Sequence, residues 1–454
     1  MRMITNETIK WKGLAVLLVM IPTLVFSQLD VKEYTLQSFL LAVENNNIKL
    51  QVSHNEKQLS QLAIKEAMSA MLPQINGQTG FKRYFNDQYT YFEAPDYENI
   101  DPVTGTIPQG MQKFKMGFDN DFQAHLLLQQ SLISLKHIYE LQAAREFSVI
   151  GELKNKQQLI NILAEAEKTF LQAVLMKKVC ELSRASERFA QDNYLSAQSK
   201  YQNKLISKLD ELQARILWEE EIPKTLRAQR NYLILLENLK AIAGIQPDDS
   251  ITIYYRYHDE KVTARDTNAE GIVTNRYDYQ LLEANCALQR KVLKSKRAEY
   301  FPTLELSGGH SYFSNSDKWS VKENSNKFTY AKVTLTVPIF SSGYRKAQLS
   351  KAKIMTKNAE LKTQDAHLNM LIEIKNLRYK LSEEYRAIET AQTVLETSRK
   401  VYDIAVENAN SGLTSQLDLR KMSTDYKRAK INYFHSIYNY KCTEVDYNNA
   451  IANY

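Results

Sequence analysis

Between Lys136 and Lys200 the chain contains no proline and a single glycine, Gly151; between Tyr344 and Ser411 it contains neither. Proline and glycine are the residues that stop helices, so each stretch predicts an unbroken helix, roughly 100 Å long at 1.5 Å per residue. Helices of that length outrun any ordinary globular core. Along the second stretch Ile374, Leu377, Leu381, Tyr385, Ile388, Ala391, Leu395, Tyr402, Ala405 and Ala409 keep to spacings of three, four or seven. That is a coiled-coil seam, and its stripe reads as packing, not as a cofactor site. With only 13 Gly and 9 Pro in 454 residues, the chain has too few turn formers for a fold of many short strands.

The second constraint is repetition. A helical pattern from Val31 stops at Leu72-Pro73 and gives way to alternation, and one from about Tyr277 stops at Phe301-Pro302 and does the same. Further on, Leu205-Ile206-Ser207-Lys208-Leu209-Asp210 is echoed 208 residues later by Leu413-Thr414-Ser415-Gln416-Leu417-Asp418, whereas the two prolines are 229 apart. The 21-residue difference falls in the first half, where Tyr84 to Lys115 reads as a long polar and aromatic loop with Pro95, Pro102, Gly105 and Pro108. One duplication with one enlarged loop explains both offsets. The expected units are residues 28–243 and 276–454, joined by a connector, 244–275, that carries a short β-like run from Ile251 to Tyr255. Pro223 predicts an interruption of the helix before it.

Each unit also predicts a pair of strands. From Met116 to Gln130, Met116, Phe118, Phe122, Ala124, Leu126 and Leu128 fall on one face, with Gly117, Asp119, Asp121, Gln123, His125 and Gln129 on the other. In the second unit Ala331, Val333, Leu335, Val337 and Ile339 stand opposite Tyr330, Lys332, Thr334 and Thr336. Their partners, near Ile75 to Phe85 and Leu304 to Tyr312, alternate less cleanly. A face of each kind suits a membrane β-barrel with lipid outside and water inside, and Phe81, Tyr84, Phe85, Tyr312, Phe313, Trp319, Phe328 and Tyr330 crowd near the strand ends as interfacial aromatics do. Four strands cannot close a barrel, whereas three chains would supply twelve.

The basic Arg2, Lys10 and Lys12, the apolar run Gly13 to Phe26 and the small Val25 and Ser27 have the order of a secretory signal over residues 1–27, with Gln28 as the mature start. A mean hydropathy of −0.44 with 24% charged residues excludes a bundle of membrane-spanning helices. The net charge of +7 is spread among acidic residues in helical stretches, a solvated face and no nucleic-acid stripe. Cys180, Cys286 and Cys442 and the seven histidines are scattered, so no metal, cofactor or catalytic residue is expected. The carboxylates lie at salt-bridge spacings.

Three stretches resemble the TolC-like outer-membrane efflux proteins: Asn275-Arg276-Tyr277-Asp278 opening a helix that ends Ala298-Glu299-Tyr300-Phe301-Pro302; Thr336-Val337-Pro338-Ile339-Phe340-Ser341-Ser342-Gly343; and Asn410-Ser411-Gly412-Leu413-Thr414-Ser415-Gln416-Leu417-Asp418-Leu419. The resemblance covers essentially the whole mature chain. It implies a mixed α+β membrane protein: a trimer whose 12-stranded outer-membrane β-barrel, four strands per chain, continues into a long periplasmic α-helical coiled-coil barrel. It further implies an exit duct for a tripartite efflux pump or type I secretion system, joined by a periplasmic adaptor (membrane fusion) protein to an inner-membrane transporter of RND, ABC or MFS type. The alternative from another class is a non-channel coiled-coil structural or adaptor protein of the cell envelope, which would leave the alternating strands unexplained.

In the family the two helix–helix turns form the periplasmic tip, where the tunnel narrows and the adaptor docks. This carries over to Gly412, Leu413, Ser415 and Leu417 in one turn and to Leu205, Ile206, Ser207 and Asp210 in the other. Gly412 is expected to supply a left-handed helix end, with Asn203 beside Lys204 in its place in the first unit, and Ser415 with Asp418, like Ser207 with Asp210, resembles a capping box. The family's constriction has two acidic residues one helical turn apart and an arginine two residues after the glycine. Here Asp418 matches the first, but Lys421 and Thr414 occupy the other positions. Read from the residues alone, Asp418 serves equally as a cap and Lys421 as a solvated side chain.

Overall fold

The computed structural model describes residues 32–256, 272–411 and 413–452. The expected signal segment 1–27, most of the second half of the connector and Gly412 lie outside the described residues.

The first half runs β1 (Lys32–Tyr34), α1 (Leu36–Asn46), α2 (Ile48–Ser69), β2 (Gln74–Arg83), β3 (Gln88–Pro95), β4 (Gln109–Met116), β5 (Asn120–Ile133), α3 (Leu135–Gln202) and α4 (Lys208–Ala243). After β6 (Ile251–Ile253) the second half runs α5 (Tyr277–Ala298), β7 (Thr303–Ser316), β8 (Ser325–Thr336), α6 (Tyr344–Asn410) and α7 (Gln416–Ala450). The counterparts match closely in length: α2 and α5 have 22 residues each, α3 and α6 have 68 and 67, α4 and α7 have 36 and 35.

One antiparallel sheet of order β2-β5-β7-β8 unites the halves, with β2 and β8 as its open edges. α3 leaves β5 after one residue, Ser134, whose hydroxyl caps it by accepting from the His137 N–H. α6 leaves β8 through residues 337–343 and starts at Gly343, which has φ 83°. α3 packs on α2, α4, α5 and α7, and α6 on α5 and α7. The seam expected along α6 is half-buried or buried at Ile374, Leu377, Leu381, Ile388, Ala391, Leu395, Tyr402 and Ala405. Gly151, the one glycine in α3, sits where a Cβ would fall 2.0 Å from the Ser60 hydroxyl of α2, so a larger residue would push the two helices apart.

The core lies beside the connector. Phe39 and Val43 of α1, Phe170 of α3, Leu239 of α4 and Ile253 of β6 are all buried, and the Phe39 and Phe170 rings are 5.4 Å apart. The β-like run in the connector forms β6, which pairs parallel with β1. A smaller cluster gathers Val273, Met370, Ile374 and Ala450. Among the described residues no helix is long and apolar enough to cross a membrane.

Four sequence expectations are corrected. The stretch from Tyr84 to Lys115 is not simply a loop: β3 and β4 pair as an antiparallel hairpin bounded by Pro95 and Pro108. The strand expected from Met116 to Gln130 is split, because Gly117 at φ 87° ends β4 and β5 starts at Asn120. The helix expected from Val31 is preceded by β1 and broken at Asn47, whose side chain accepts from the Leu50 N–H at 3.2 Å and donates to the Ile242 carbonyl at 2.7 Å. Pro223 interrupts nothing: α4 runs through it. Its lost hydrogen bond is offset by packing along α3, to which the Thr225 hydroxyl donates at the Ser183 carbonyl (3.1 Å).

Candidate functional site

Directly paired residues of antiparallel strands point to the same side, so the register assigns every side chain of the sheet to a face. One face carries Ile75 opposite Leu128, Leu126 opposite His310, Leu306 opposite Val333 and Leu304 opposite Leu335. It is mostly apolar yet uncovered; Leu335 is 64% exposed. At its far end Phe81 meets Trp319 at 4.5 Å and Phe122 meets Tyr312 at 6.1 Å. The other face carries Gln78, His125, Ser311 and Phe328 in one row and Gln74, Gln129, Ser307 and Lys332 in another. The crowded aromatics therefore divide. Phe81 and Tyr312, with Trp319, belong to the apolar side, whereas Phe313, Phe328 and Tyr330 lie on the polar side. Where β3 and β4 leave the sheet, Lys115 is held by Asp87 (2.9 Å), Asp119 (3.0 Å) and Asp317 (3.6 Å).

At the opposite end of the long helices the two turns have related geometry. In the first, the Leu205 N–H donates back to the Lys200 carbonyl at 2.8 Å; in the second, the Leu413 N–H donates to the Asn408 carbonyl at 2.8 Å. These close helix ends in the manner of a Schellman turn. The left-handed residue in the first turn is Lys204, φ 65°, and not Asn203, whose side-chain amide instead donates to the Ser199 carbonyl. Ser207 and Asp210 form a full capping box. The Ser415 hydroxyl donates to the Asp418 carboxylate at 2.7 Å and accepts from its N–H at 3.1 Å. Leu205, Leu413 and Leu417 are exposed, as are Asp418 and Lys421; Ile206 and Thr414 are half-buried.

Just above the turns the two halves are tied by ion pairs that the sequence did not disclose. Arg420 of α7 meets Glu220 of α4 at 2.8 Å, and Lys427 meets Glu221 at 2.8 Å. Burial raises the Glu221 pKa, but hydrogen bonds from Lys224 and Lys427 outweigh it and hold the carboxyl below its ordinary range. These four residues line a cavity of about 240 Å³ between α3, α4 and α7, with Phe189 and Leu419 at its apolar side. Charges three or four apart on a helix look alike whether their partner is local or on another helix.

A second hub is Arg276, which opens α5 and is 8% exposed. It meets Asp278 at 2.7 Å and Glu373 of α6 at 2.8 Å, and donates to the Ala450 carbonyl at the end of α7. Asp446 and Asn161 share its cavity of about 440 Å³. Among the described residues no group of three or more His, Cys, Asp or Glu could hold a metal ion. Burial pushes the Cys442 thiol up, away from the reactive thiolate.

Residues 272–450 match the family model described as outer membrane efflux protein. Nodulation protein T of Rhizobium leguminosarum bv. trifolii is 19% identical over 254 residues, 55% of this chain and 54% of that protein, so the chain spans about half the length of this relative. The fold is that of the outer membrane channel CmeC of Campylobacter jejuni, with a TM-score of 0.74 over 92% of this chain and 85% of that one at 19% identity. It is equally that of CusC, at 0.74 over 92% and 91% with 16% identity.

Proposed function

We infer that this chain, whose residues 272–450 match the outer membrane efflux protein family model, is the outer-membrane exit duct of an efflux system, with a large periplasmic portion. The observation that carries this is the sheet. It is mostly apolar and uncovered on one side, mostly polar on the other, open at both edges, and continuous with helices of 68 and 67 residues. An uncovered apolar face edged at its far end by Phe81, Phe122, Tyr312 and Trp319 suits lipid with an interfacial aromatic belt there, and the polar face suits a water-filled lumen. A coiled-coil structural protein has no use for such a face.

The open edges of β2 and β8 support a trimer, since unpaired strand edges are not stable in a bilayer and three copies of this four-stranded sheet would close at twelve strands. In this reading the two halves descend from one duplication. The turns around Leu205 and Leu413 form the periplasmic tip, where exposed Leu205, Leu413 and Leu417 offer apolar anchors to an adaptor protein, and an inner-membrane RND, ABC or MFS transporter feeds the duct. The protein carries cargo and performs no chemistry. Native mass in detergent tests the assembly: three chains are expected, and one or two would sink the barrel.

A further inference from the structure

The polar face of the sheet carries an aromatic group that a plain aqueous lining does not need. Phe313 and Phe328 stack with their planes 9° apart and centroids 5.5 Å apart, Tyr330 follows at 6.3 Å from Phe328, and the His125 ring sets its edge against Phe313 at 5.1 Å. The register leaves no doubt about their side: Phe328 pairs with Ser311, which pairs with His125, and Tyr330 pairs with Gly309. The Tyr330 ring lies over Gly309, where an added Cβ would come within 2.8 Å of the ring carbon Cε1. The absence of a side chain at Gly309 is therefore what lets the ring lie flat on the sheet and turn a face outward.

In the single chain Phe328 and Tyr330, on the edge strand β8, are 46% and 41% exposed, among polar neighbours Gln78, Gln123 and Asn326. Exposed rings on a water-facing wall carry a hydration cost that no lipid relieves there; a solute passing the wall would relieve it. Two residues along the same face from Tyr330, about 7 Å away at strand spacing, stands Lys332. It is exposed and takes part in none of the ion pairs among the described residues. Other charges on this face are Glu305, opposite Thr334 beyond Lys332, and Lys82 and Asp121, which stand opposite each other in the strand register beyond Gln123. The cation next to the rings is thus Lys332.

We propose that Phe313, Phe328 and Tyr330 form a luminal shelf that, with Lys332, binds planar aromatic anions in transit: the solute's ring lies against the shelf and its carboxylate or sulfonate meets the ammonium. This deepens the exit-duct reading and rests on it. Three copies would place three such shelves around one lumen.

The probe is 2-naphthalenesulfonate, binding of which to the purified detergent-solubilised protein is followed by its fluorescence anisotropy. Phe328→Leu, which keeps apolar bulk and removes the ring, should weaken binding about five- to tenfold, as should Tyr330→Leu, the loss of one ring contact. Lys332→Gln should remove the preference for the sulfonate over the cation 2-naphthylmethylammonium. Cyclohexanesulfonate should bind several-fold more weakly than the probe. Equal affinity in wild type and both leucine variants, or equal binding of the cyclohexane and naphthalene anions, overturns the shelf. Conductance of wild-type protein in planar bilayers without probe tests the duct separately, so a conducting channel that fails the binding test loses the shelf alone.

Discussion

Lys427 on α7 donates to the Glu221 carboxylate on α4 at 2.8 Å, and Lys224 on α4 donates to the same carboxylate at 2.8 Å. One half-buried carboxylate thus joins the returning helices of the two halves near the turns. Because the folded state lowers the Glu221 pKa, the tie is complete above the ordinary carboxylate range of about 4 to 5 and is lost as pH falls through the lowered value. The wild type should therefore lose more thermal stability between pH 7 and pH 3.5 than Glu221→Gln, which has no carboxylate to protonate there. Circular dichroism melts at both pH values check this; identical pH dependence in the two proteins would show that Glu221 contributes nothing to it.

Arg276 holds three elements at once through Asp278, Glu373 and the Ala450 carbonyl. Arg276→Gln should cost about 2 kcal/mol, because it leaves carboxylates without their buried partner, discounted for the partial exposure of Glu373. Arg290 is the matched comparison. Its 3.1 Å pair with Glu360 is largely exposed, so Arg290→Gln should cost about 0.5 kcal/mol or less. Equal shifts in melting temperature for the two variants would deny Arg276 its role as a hub.

The long helices were legible because nothing in α3 or α6 interrupts them, and the two faces of β5 and β8 because apolar residues alternate with polar ones over Phe122 to Leu126 and Ala331 to Leu335. The β3–β4 hairpin was not legible for the converse reason. Both of its faces are exposed, so Tyr89, Tyr91, Lys113 and Lys115 share one side while Phe92 and Phe114 share the other, and no burial period emerges. Its prolines mark the ends of the strands and looked like breakers. Asn47 hides in a run of three asparagines, and its role as a break appears only once Ile242, 195 residues away, is beside it. Lys204 takes the left-handed position although Asn203 has the better intrinsic preference, since Asn203 is engaged as the cap of α3. The same blindness to partners hid Arg420 and Lys427, whose pairing with Glu220 and Glu221 is tertiary.

The facing of β8 can be tested by charge. Leu335 pairs with Leu304 on the uncovered apolar side and Thr334 pairs with Glu305 on the polar side. In a bilayer a cation on the lipid side costs about 2 to 4 kcal/mol at mid-depth and less toward the strand end where Leu335 lies, so Leu335→Arg carries a penalty that Thr334→Arg, meeting water, does not. Leu335→Arg should reduce the amount of assembled protein recovered from outer membranes, with Thr334→Arg close to wild type. Equal recovery of both variants means the two faces have been assigned wrongly or neither meets lipid.

At the tip, Asp418 and Lys421 are exposed one helical turn apart on α7, and the Asp418 carboxylate accepts from the Ser415 hydroxyl at 2.7 Å. The resemblance to TolC-like proteins implies a second acidic residue where Lys421 stands and an arginine where Thr414 stands. In a trimer, three Asp418 carboxylates alone would draw cations into the narrowed lumen, and three Lys421 ammonium groups nearby would offset that field. Weak cation selectivity is therefore expected, with an entrance that lacks the arginine lock. Lys421→Asp should restore a second carboxylate ring and raise cation selectivity clearly, without altering the cap, which depends on Ser415 and Asp418. The reversal potential of each protein in a planar bilayer under a salt gradient measures this. An unchanged reversal potential would show that Lys421 does not line the constriction, and the likeness to the family's tip would then end at Asp418.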